Sequence, residues 1–155
     1  MRFQSTFLAT LAATVLSTAA FADSIISVED AYARSSGMNA KAGAAFMMIK
    51  NTGDTDDRLV SVQSDVAARV ELHTHTIDEN GVAKMMQVEE GFAIPAGEAH
   101  MLQRGGDHVM FMGIKQPFEQ GAKIPVTLVF ERAGAVQIEI RVDLERQDGH
   151  MKHSH

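Results

Sequence analysis

The chain has 155 residues, a formal charge of −6, no cysteine and ten methionines. The lack of cysteine excludes disulfides, thiolate catalysis, cysteine-based zinc sites and iron–sulfur clusters. The acidic balance and the lack of a Lys/Arg-rich run argue against nucleic acid as a partner. Tryptophan is absent and tyrosine occurs once, which disfavours binding on aromatic platforms, including sugar binding.

Residues 1–22 have the pattern of a cleavable signal peptide. Arg2 is the positive start, residues 7–16 form the short apolar centre, and residues 20–22 read Ala-Phe-Ala, an A-x-A cleavage site. The alternative is a membrane anchor or a core helix, but this apolar run is too short to span a bilayer, and no later apolar run is long enough to do so. We therefore expect an exported chain that begins near Asp23, resides in a bacterial periplasm and has no membrane span.

The rest of the chain alternates short β-rich runs with turn signals, which is typical of an all-β antiparallel sandwich or barrel. We expect one domain over residues 23–142 and a polar, mobile tail over residues 143–155. In the last predicted strand, alternate residues are apolar, so one face is expected to point inward. The predicted strands are Ile25–Ala33, Ala44–Lys50, Arg58–Ser64, Arg69–Thr76, Val82–Glu89, His108–Ile114, Ile124–Glu131 and Val136–Val142.

A first pair of possible metal ligands flanks Asn80-Gly81, the strongest short-range hairpin signal. If these two residues form a two-residue turn, His75 lies directly opposite Met86. Residues in such a pair point to the same face, with Cβ atoms about 4.5–5.5 Å apart. An imidazole nitrogen and a thioether sulfur could then share one ion. A slip of one residue would break the pairing.

A second pair lies within one predicted strand. His108 and Met110 are two residues apart, so their side chains share a face. Met112 shares that face too, and we interpret it as a supporting or core residue. The preceding glycine-containing run, Arg104-Gly105-Gly106-Asp107, is expected to place His108 near one end of the sandwich.

Two imidazoles and two thioethers favour Cu(I), because thioether sulfur is soft and uncharged. The absence of a cysteine thiolate argues against a blue-copper electron carrier and favours copper carriage. Any single Met or His is more often a packing or surface residue, so the prediction depends on the combination. Four further residues have no such pairing and are interpreted as ordinary, with the first near enough to be a reserve ligand: His73, Met85, His100 and Met101.

The spacing His75-x10-Met86-x21-His108-x-Met110 resembles the ligand motif of the periplasmic copper chaperones called PCuAC. The surrounding residues agree, and the resemblance extends from about residue 25 to residue 142. It implies a cupredoxin-like Greek-key β-sandwich and a Cu(I) site made by these four residues. It also implies delivery of copper to the CuA centre of cytochrome c oxidase, alongside Sco-type proteins.

The tail contains a separate set of possible ligands. Imidazoles suit Cu(II), so we expect a second, Cu(II)-preferring copper there, and the alternative is a solvated end or a cloning remnant. The four residues are His150, Met151, His153 and His155.

Other functions are compatible with the same residues. A periplasmic copper storage or resistance protein would use the same ligands, and a metal-dependent oxidoreductase or hydrolase would use the same histidines. We find no HExxH, GxSxG or paired-carboxylate signature, so we do not expect an enzyme. A structural or carbohydrate-binding sandwich is a third possibility, which failure to bind any metal would favour.

Overall fold

The structure, a computed structural model, describes residues 23–147. The expected signal peptide at residues 1–22 and the four expected tail ligands (His150, Met151, His153 and His155) lie outside the described residues. No described helix is long and apolar enough to span a membrane. The strands are β1 Ile26–Ser35, β2 Ala42–Asn51, β3 Asp57–Gln63, β4 Ala67–Ile77, β5 Ala83–Gln87, β6 Phe92–Ile94, β7 Ala99–Leu102, β8 His108–Ile114, β9 Lys123–Phe130 and β10 Gly134–Val142.

The ten strands form one continuous sheet that folds over into a sandwich. Its order is β5-β4-β8-β2-β1-β10-β9-β3-β6, with β7 paired to β2. The end strands β5 and β6 do not pair with each other in the described part of the chain, so the sheet does not close into a barrel. The predicted sandwich is confirmed in this open form. One parallel pair, β1 with β10, departs from the antiparallel pattern.

The core is built mainly from one face of the strands, and β5 contributes no buried residue to it. In β10, Ile140 and Val142 are buried while Glu139 and Arg141 are exposed, as a side-chain period of two requires. Phe111 of β8 is completely buried. Full burial of such a side chain contributes about 1.5–3 kcal/mol.

Two short strands, β6 and β7, were not predicted from the sequence. They have three and four residues, which is too short for a period to be recognised. Their strand character depends on pairing with β3 and β2, respectively, and this pairing is not visible locally. Gly91 before β6 and Pro95 after it indicate only where β6 begins and ends.

The first residues of the expected tail are held against β1. The Asp143 amide donates to the Ala33 carbonyl at 2.8 Å. The Arg146 guanidinium lies over the Tyr32 ring, 4.1 Å from its centre. These contacts place residues 143–147 against β1.

Candidate metal centre

One face of the β5-β4-β8 segment carries a row of His and Met side chains. His73 and His75 are two residues apart on β4, so they share a face. His108 of β8 lies directly opposite His73, and Met85 of β5 lies directly opposite His75. Met110 follows His108 by two residues on β8. Since directly opposed residues point to the same side, all five side chains lie on one face.

This face points away from the core. Leu72, Val109 and Phe111 occupy the alternate positions of β4 and β8, and all three belong to the buried core. A cleft of about 450 Å³ opens on the other face. Its lining includes His75, Met85, His108 and Met110. The other lining residues come from the end of β1, the β1–β2 connection, β2 and the loop before β8: Arg34, Ser35, Ser36, Ala42, Gly43, Ala44, Phe46, Arg104 and Gly105.

The predicted pairing of His75 with Met86 is wrong. His75 faces Met85, and Met86 faces Thr74 on the opposite side of the hairpin. Met86 therefore does not line the cleft, whereas Met85 does. The interpretation of Met85 as a residue without a soft-ligand neighbour is wrong for the same reason.

The hairpin loop explains this difference. The loop has three residues, Glu79-Asn80-Gly81, rather than two. The Gly81 amide donates to the Asp78 carbonyl at 2.9 Å, and the Asp78 amide donates to the Val82 carbonyl at 3.0 Å. Gly81 is left-handed, with φ of 78°, as in the three-residue hairpin loop that ends on a left-handed glycine. Asp78 then pairs with Val82, which shifts every partner by one residue.

His108 is buried, with 2% of its surface exposed. Its Nδ1 lies 2.9 Å from the Gly106 carbonyl, which can only accept, so Nδ1 carries the proton and Nε2 has a free lone pair. Burial lowers the pKa of His108 against the opposing effect of the Gly106 hydrogen bond, and the neighbouring His75 and His73 lower it further. The ring is therefore neutral near pH 7, the form that binds a metal.

His73 has a charged partner on its own strand. Its Nε2 lies 2.8 Å from Glu71 Oε2, and Arg69 donates to the same carboxylate at 2.6 Å. The hydrogen bond from His73 is the main cause that lowers the pKa of Glu71, and Arg69 adds to it. An ionised Glu71 can only accept a hydrogen bond, so the Nε2 of His73 is the donor; in the neutral imidazole, Nδ1 then has the free lone pair.

His100 and Met101 lie apart from the cleft. His100 Nε2 is 2.8 Å from Asp107 Oδ2, and its ring stacks on Phe92 with 5.1 Å between ring centres. Met101 lies opposite Met48 of β2. His100 therefore has a structural role, because its contact with Asp107 links β7 to the loop before β8.

The donors on this face are of mixed chemistry. Within residues 23–147, no three His, Asp or Glu side chains converge closely enough to hold an ion by themselves. The ring centres of His75 and His108 are 5.2 Å apart, and the thioethers of Met85 and Met110 line the same cleft. Two imidazoles with uncharged thioethers suit Cu(I) better than zinc, magnesium or calcium.

Sequence comparison identifies the family. The model described as "Putative lipoprotein LpqE-like" matches residues 26–142. The chain belongs to the LpqE-like family. The "Putative lipoprotein Lxx21020" of Leifsonia xyli subsp. xyli is 40% identical over 99 residues, covering 64% of this chain and 59% of that protein. The "Uncharacterized protein RP573" of Rickettsia prowazekii is 28% identical over 88 residues, covering 57% of this chain and 48% of that protein.

The matched regions thus span less than two thirds of the length of these two relatives. Lipoproteins are exported proteins, so the family description agrees with the export expected from residues 1–22.

Solved structures of PCuAC proteins share the fold. The copper-bound PCuAC domain from PmoF2 superimposes with a TM-score of 0.64 at 25% identity, covering 80% of this chain and 97% of that domain. The Cu(I)-bound solution structure of DR1885 from Deinococcus radiodurans superimposes with a TM-score of 0.61 at 27% identity, covering 84% of each chain. The resemblance to PCuAC and the cupredoxin-like sandwich predicted from the sequence are confirmed.

Proposed function

We propose that this protein is a periplasmic copper carrier that binds one Cu(I) on the β5-β4-β8 face and delivers it to a copper enzyme. The observation that carries the proposal is the cleft lined by two imidazoles and two thioethers, His75, His108, Met85 and Met110. Two solved relatives of the same fold are copper-bound.

The proposed ligands are His75, His108, Met110 and one thioether of β5. The PCuAC motif spacing supports Met86, whereas the cross-strand register supports Met85. We assign the role to Met85 in this register. All five residues of β5 are exposed, and the register of such an edge strand is weakly specified. A slip of one residue would replace Met85 by Met86.

The exposure of the ligands supports a transfer function. Met85 is 51% exposed, whereas His108 is 2% exposed. An ion held between them is enclosed on the β8 side and reachable from the β5 side. A partner could therefore displace the outer thioether first while His108 still holds the ion. We propose the CuA subunit of cytochrome c oxidase or a Sco-type protein as acceptor, as the PCuAC resemblance implies.

The Cu(I) site is tested by leucine substitutions, which keep bulk but remove the sulfur. We expect Met85→Leu and Met110→Leu each to lower Cu(I) affinity at least about 10-fold, equivalent to about 1.4 kcal/mol. Met86→Leu and the control Met101→Leu should bind like the wild type. Affinity is measured by competition with a chromogenic Cu(I) chelator. Unchanged affinity in the Met85→Leu, Met86→Leu, Met110→Leu triple variant would overturn the proposal.

Two alternatives are separated from copper delivery by a transfer assay. A copper storage or resistance protein would keep its Cu(I) when mixed with an apo CuA domain, whereas a carrier would lose it. A metal-dependent oxidoreductase would instead show turnover in the copper- or zinc-loaded form.

We also propose a second, Cu(II)-preferring site in the tail. Gln147, the last described residue, lines a cleft that shares Phe46 and Arg104 with the metal cleft. This neighbourhood supports a tail that starts close to the Cu(I) face. The proposed ligands are His150, Met151, His153 and His155.

A further inference from the structure

Two buried nitrogens on the metal face have no hydrogen-bond partner. They are the Nδ1 atoms of His73 and His75. A buried polar atom without a partner costs about 1–3 kcal/mol, and such atoms commonly indicate a missing water or ion. The proposed Cu(I) set of His75, His108 and two thioethers leaves the nitrogen of His73 unexplained.

The ring of His73 is near enough to share an ion with its neighbour. With metal–nitrogen bonds of about 2 Å, two imidazoles on one ion have ring centres no more than about 6 Å apart. The ring centre of His108 lies 5.9 Å from that of His73 and 5.2 Å from that of His75. His108 is therefore within ligand-sharing distance of both.

Glu71 binds the ring nitrogen of His73 that faces away from the unpaired Nδ1. A metal-bound histidine commonly donates its other ring N–H to a carboxylate, which orients the ring and raises its basicity. His73 has this arrangement, with Nε2 bonded to Glu71 and Nδ1 unpaired. Arg69 holds the same carboxylate through two hydrogen bonds, at 2.6 and 3.1 Å.

We propose that His73 joins His75 and His108 as the third imidazole of a Cu(II)-binding set on this face, with Glu71 as its positioning residue. This inference rests on the proposed copper function. Within residues 23–147 the three imidazoles do not converge on one point, so the proposal requires the rings to turn about their side-chain torsions when copper binds. Copper(II) is the ion selected, because imidazole suits it and it forms the strongest complexes among the divalent first-row metals.

The two oxidation states then use different parts of one face. Soft thioethers hold Cu(I), whereas a third imidazole replaces them for Cu(II). His75 and His108 belong to both sets. His73 belongs only to the Cu(II) set, so its removal separates the two states experimentally.

The experiment uses the full chain with His150, His153 and His155 replaced by Gln, which removes the imidazoles of the tail. Titration with CuSO4 should give one bound Cu(II) with nitrogen hyperfine structure from three imidazoles by electron paramagnetic resonance. In the same background, His73→Gln should leave two nitrogens and lower Cu(II) affinity at least about 10-fold. Cu(I) affinity should change less than about 3-fold.

Glu71→Gln and His100→Gln complete the design. Glu71→Gln keeps all three imidazoles but weakens the orientation of His73, so Cu(II) affinity should fall about 10–100-fold with three nitrogens retained. His100 also bonds a carboxylate but is not one of the three proposed Cu(II) ligands. The His100→Gln variant should therefore bind Cu(II) as tightly as the chain that lacks only the tail imidazoles. Glu71→Gln also tests His73 if His73→Gln does not fold, as judged by circular dichroism.

Unchanged Cu(II) affinity and nitrogen count in His73→Gln, or no Cu(II) binding by the background chain, would overturn this inference. Either result with normal Cu(I) binding would leave the Cu(I) carrier intact. Loss of Cu(I) binding by the background chain would instead contradict the proposed function.

Discussion

At His108, two neighbouring features act on the two ring nitrogens separately. The Gly106 carbonyl accepts from Nδ1, while burial keeps the ring neutral and Nε2 unprotonated. The ring centre of Phe46 lies 6.2 Å from that of His108, and Phe46 also lines the cleft. The fold thus holds His108 in one neutral tautomer, with the lone pair on Nε2.

A single glycine controls the connection into β6. An added Cβ at Gly91 would lie 1.9 Å from the Leu59 carbonyl oxygen, and φ is 72°. Gly91→Ala should therefore lower the free energy of unfolding by more than about 2 kcal/mol, because a backbone clash adds to the left-handed strain of about 1–2 kcal/mol. Urea denaturation measures the loss.

Gly97→Ala is the matched control for that variant. Gly97 has φ of 74° but nothing within 4 Å of an added Cβ, so only the strain of about 1–2 kcal/mol applies. Equal losses in the two variants would show that the Leu59 contact has no energetic effect.

At the scale of the elements, the β4–β5 hairpin determines which side chain of β5 lies beside His75. Its loop length decides which thioether faces His75, because a one-residue shift moves every side chain of β5 to the other side. Asp78 stabilises the observed loop, since its carboxylate accepts from the amides of Asn80 and Val82 at 2.9 and 3.0 Å. The Asp78 side chain thus favours the register in which the thioether of Met85 lines the cleft.

Asp57, at the start of β3, connects three segments. It is buried and accepts hydrogen bonds from Ser24 Oγ, the Arg132 amide and the Ala133 amide at 2.6, 2.9 and 3.0 Å. Burial acts to raise the pKa of Asp57, but these bonds and one from the Arg58 amide outweigh it and hold the pKa below 3.8.

The sign of the pH dependence follows. The unfolded chain takes up the Asp57 proton near pH 3.8, above the folded pKa. The contribution of Asp57 to stability is therefore present above pH 3.8 and is lost as pH falls through the folded pKa. Asp57→Asn should make the free energy of unfolding less dependent on pH in the acid range. It should also lower that free energy by about 1–3 kcal/mol at pH 7.

Urea denaturation between pH 7 and pH 2.5 checks this expectation. Asp54→Asn, at an exposed carboxylate nearby, is the control and should keep the wild-type acid profile. An Asp57→Asn profile as steep as the wild type would contradict the assignment.

At the scale of the whole molecule, the last described residues lie against β1, the first strand of the domain. Arg146 lies over Tyr32 and pairs with Asp30, and the Arg34 side chain donates to the Arg146 carbonyl at 3.0 Å. The ion pair is substantially exposed, so it contributes at most about 1 kcal/mol. These contacts direct the chain toward the cleft that Gln147 lines.

Two truncations separate the anchored segment from the proposed tail site. A chain that ends at Gln147 should keep full-length stability and one Cu(I) but bind one fewer Cu(II). A chain that ends at Val142 should also lose about 1 kcal/mol or more of stability, because it lacks the Asp143 hydrogen bond and the Arg146 contacts. Copper stoichiometry and thermal unfolding check both variants. If the chain that ends at Gln147 bound as much Cu(II) as the full-length chain, the tail site would be contradicted.

The sequence by itself determined the features that depend on near neighbours. The absence of cysteine excluded thiolate chemistry, and alternation in β10 and β8 assigned faces correctly, because a strand repeats every two residues whatever it pairs with. For that reason His108 and Met110 were placed on one side from their spacing alone. The spacing of four predicted ligands resembles the PCuAC motif and so predicted the fold, which the structural comparison confirms.

Only the tertiary structure decided which residues meet. His73 and His108 lie 35 residues apart in the chain, and their pairing follows from the adjacency of β4 and β8, which no local pattern encodes. The exchange of Met86 for Met85 follows from one additional loop residue. Strand pairing depends on loop geometry and on distant neighbours, whereas alternation depends on the backbone alone.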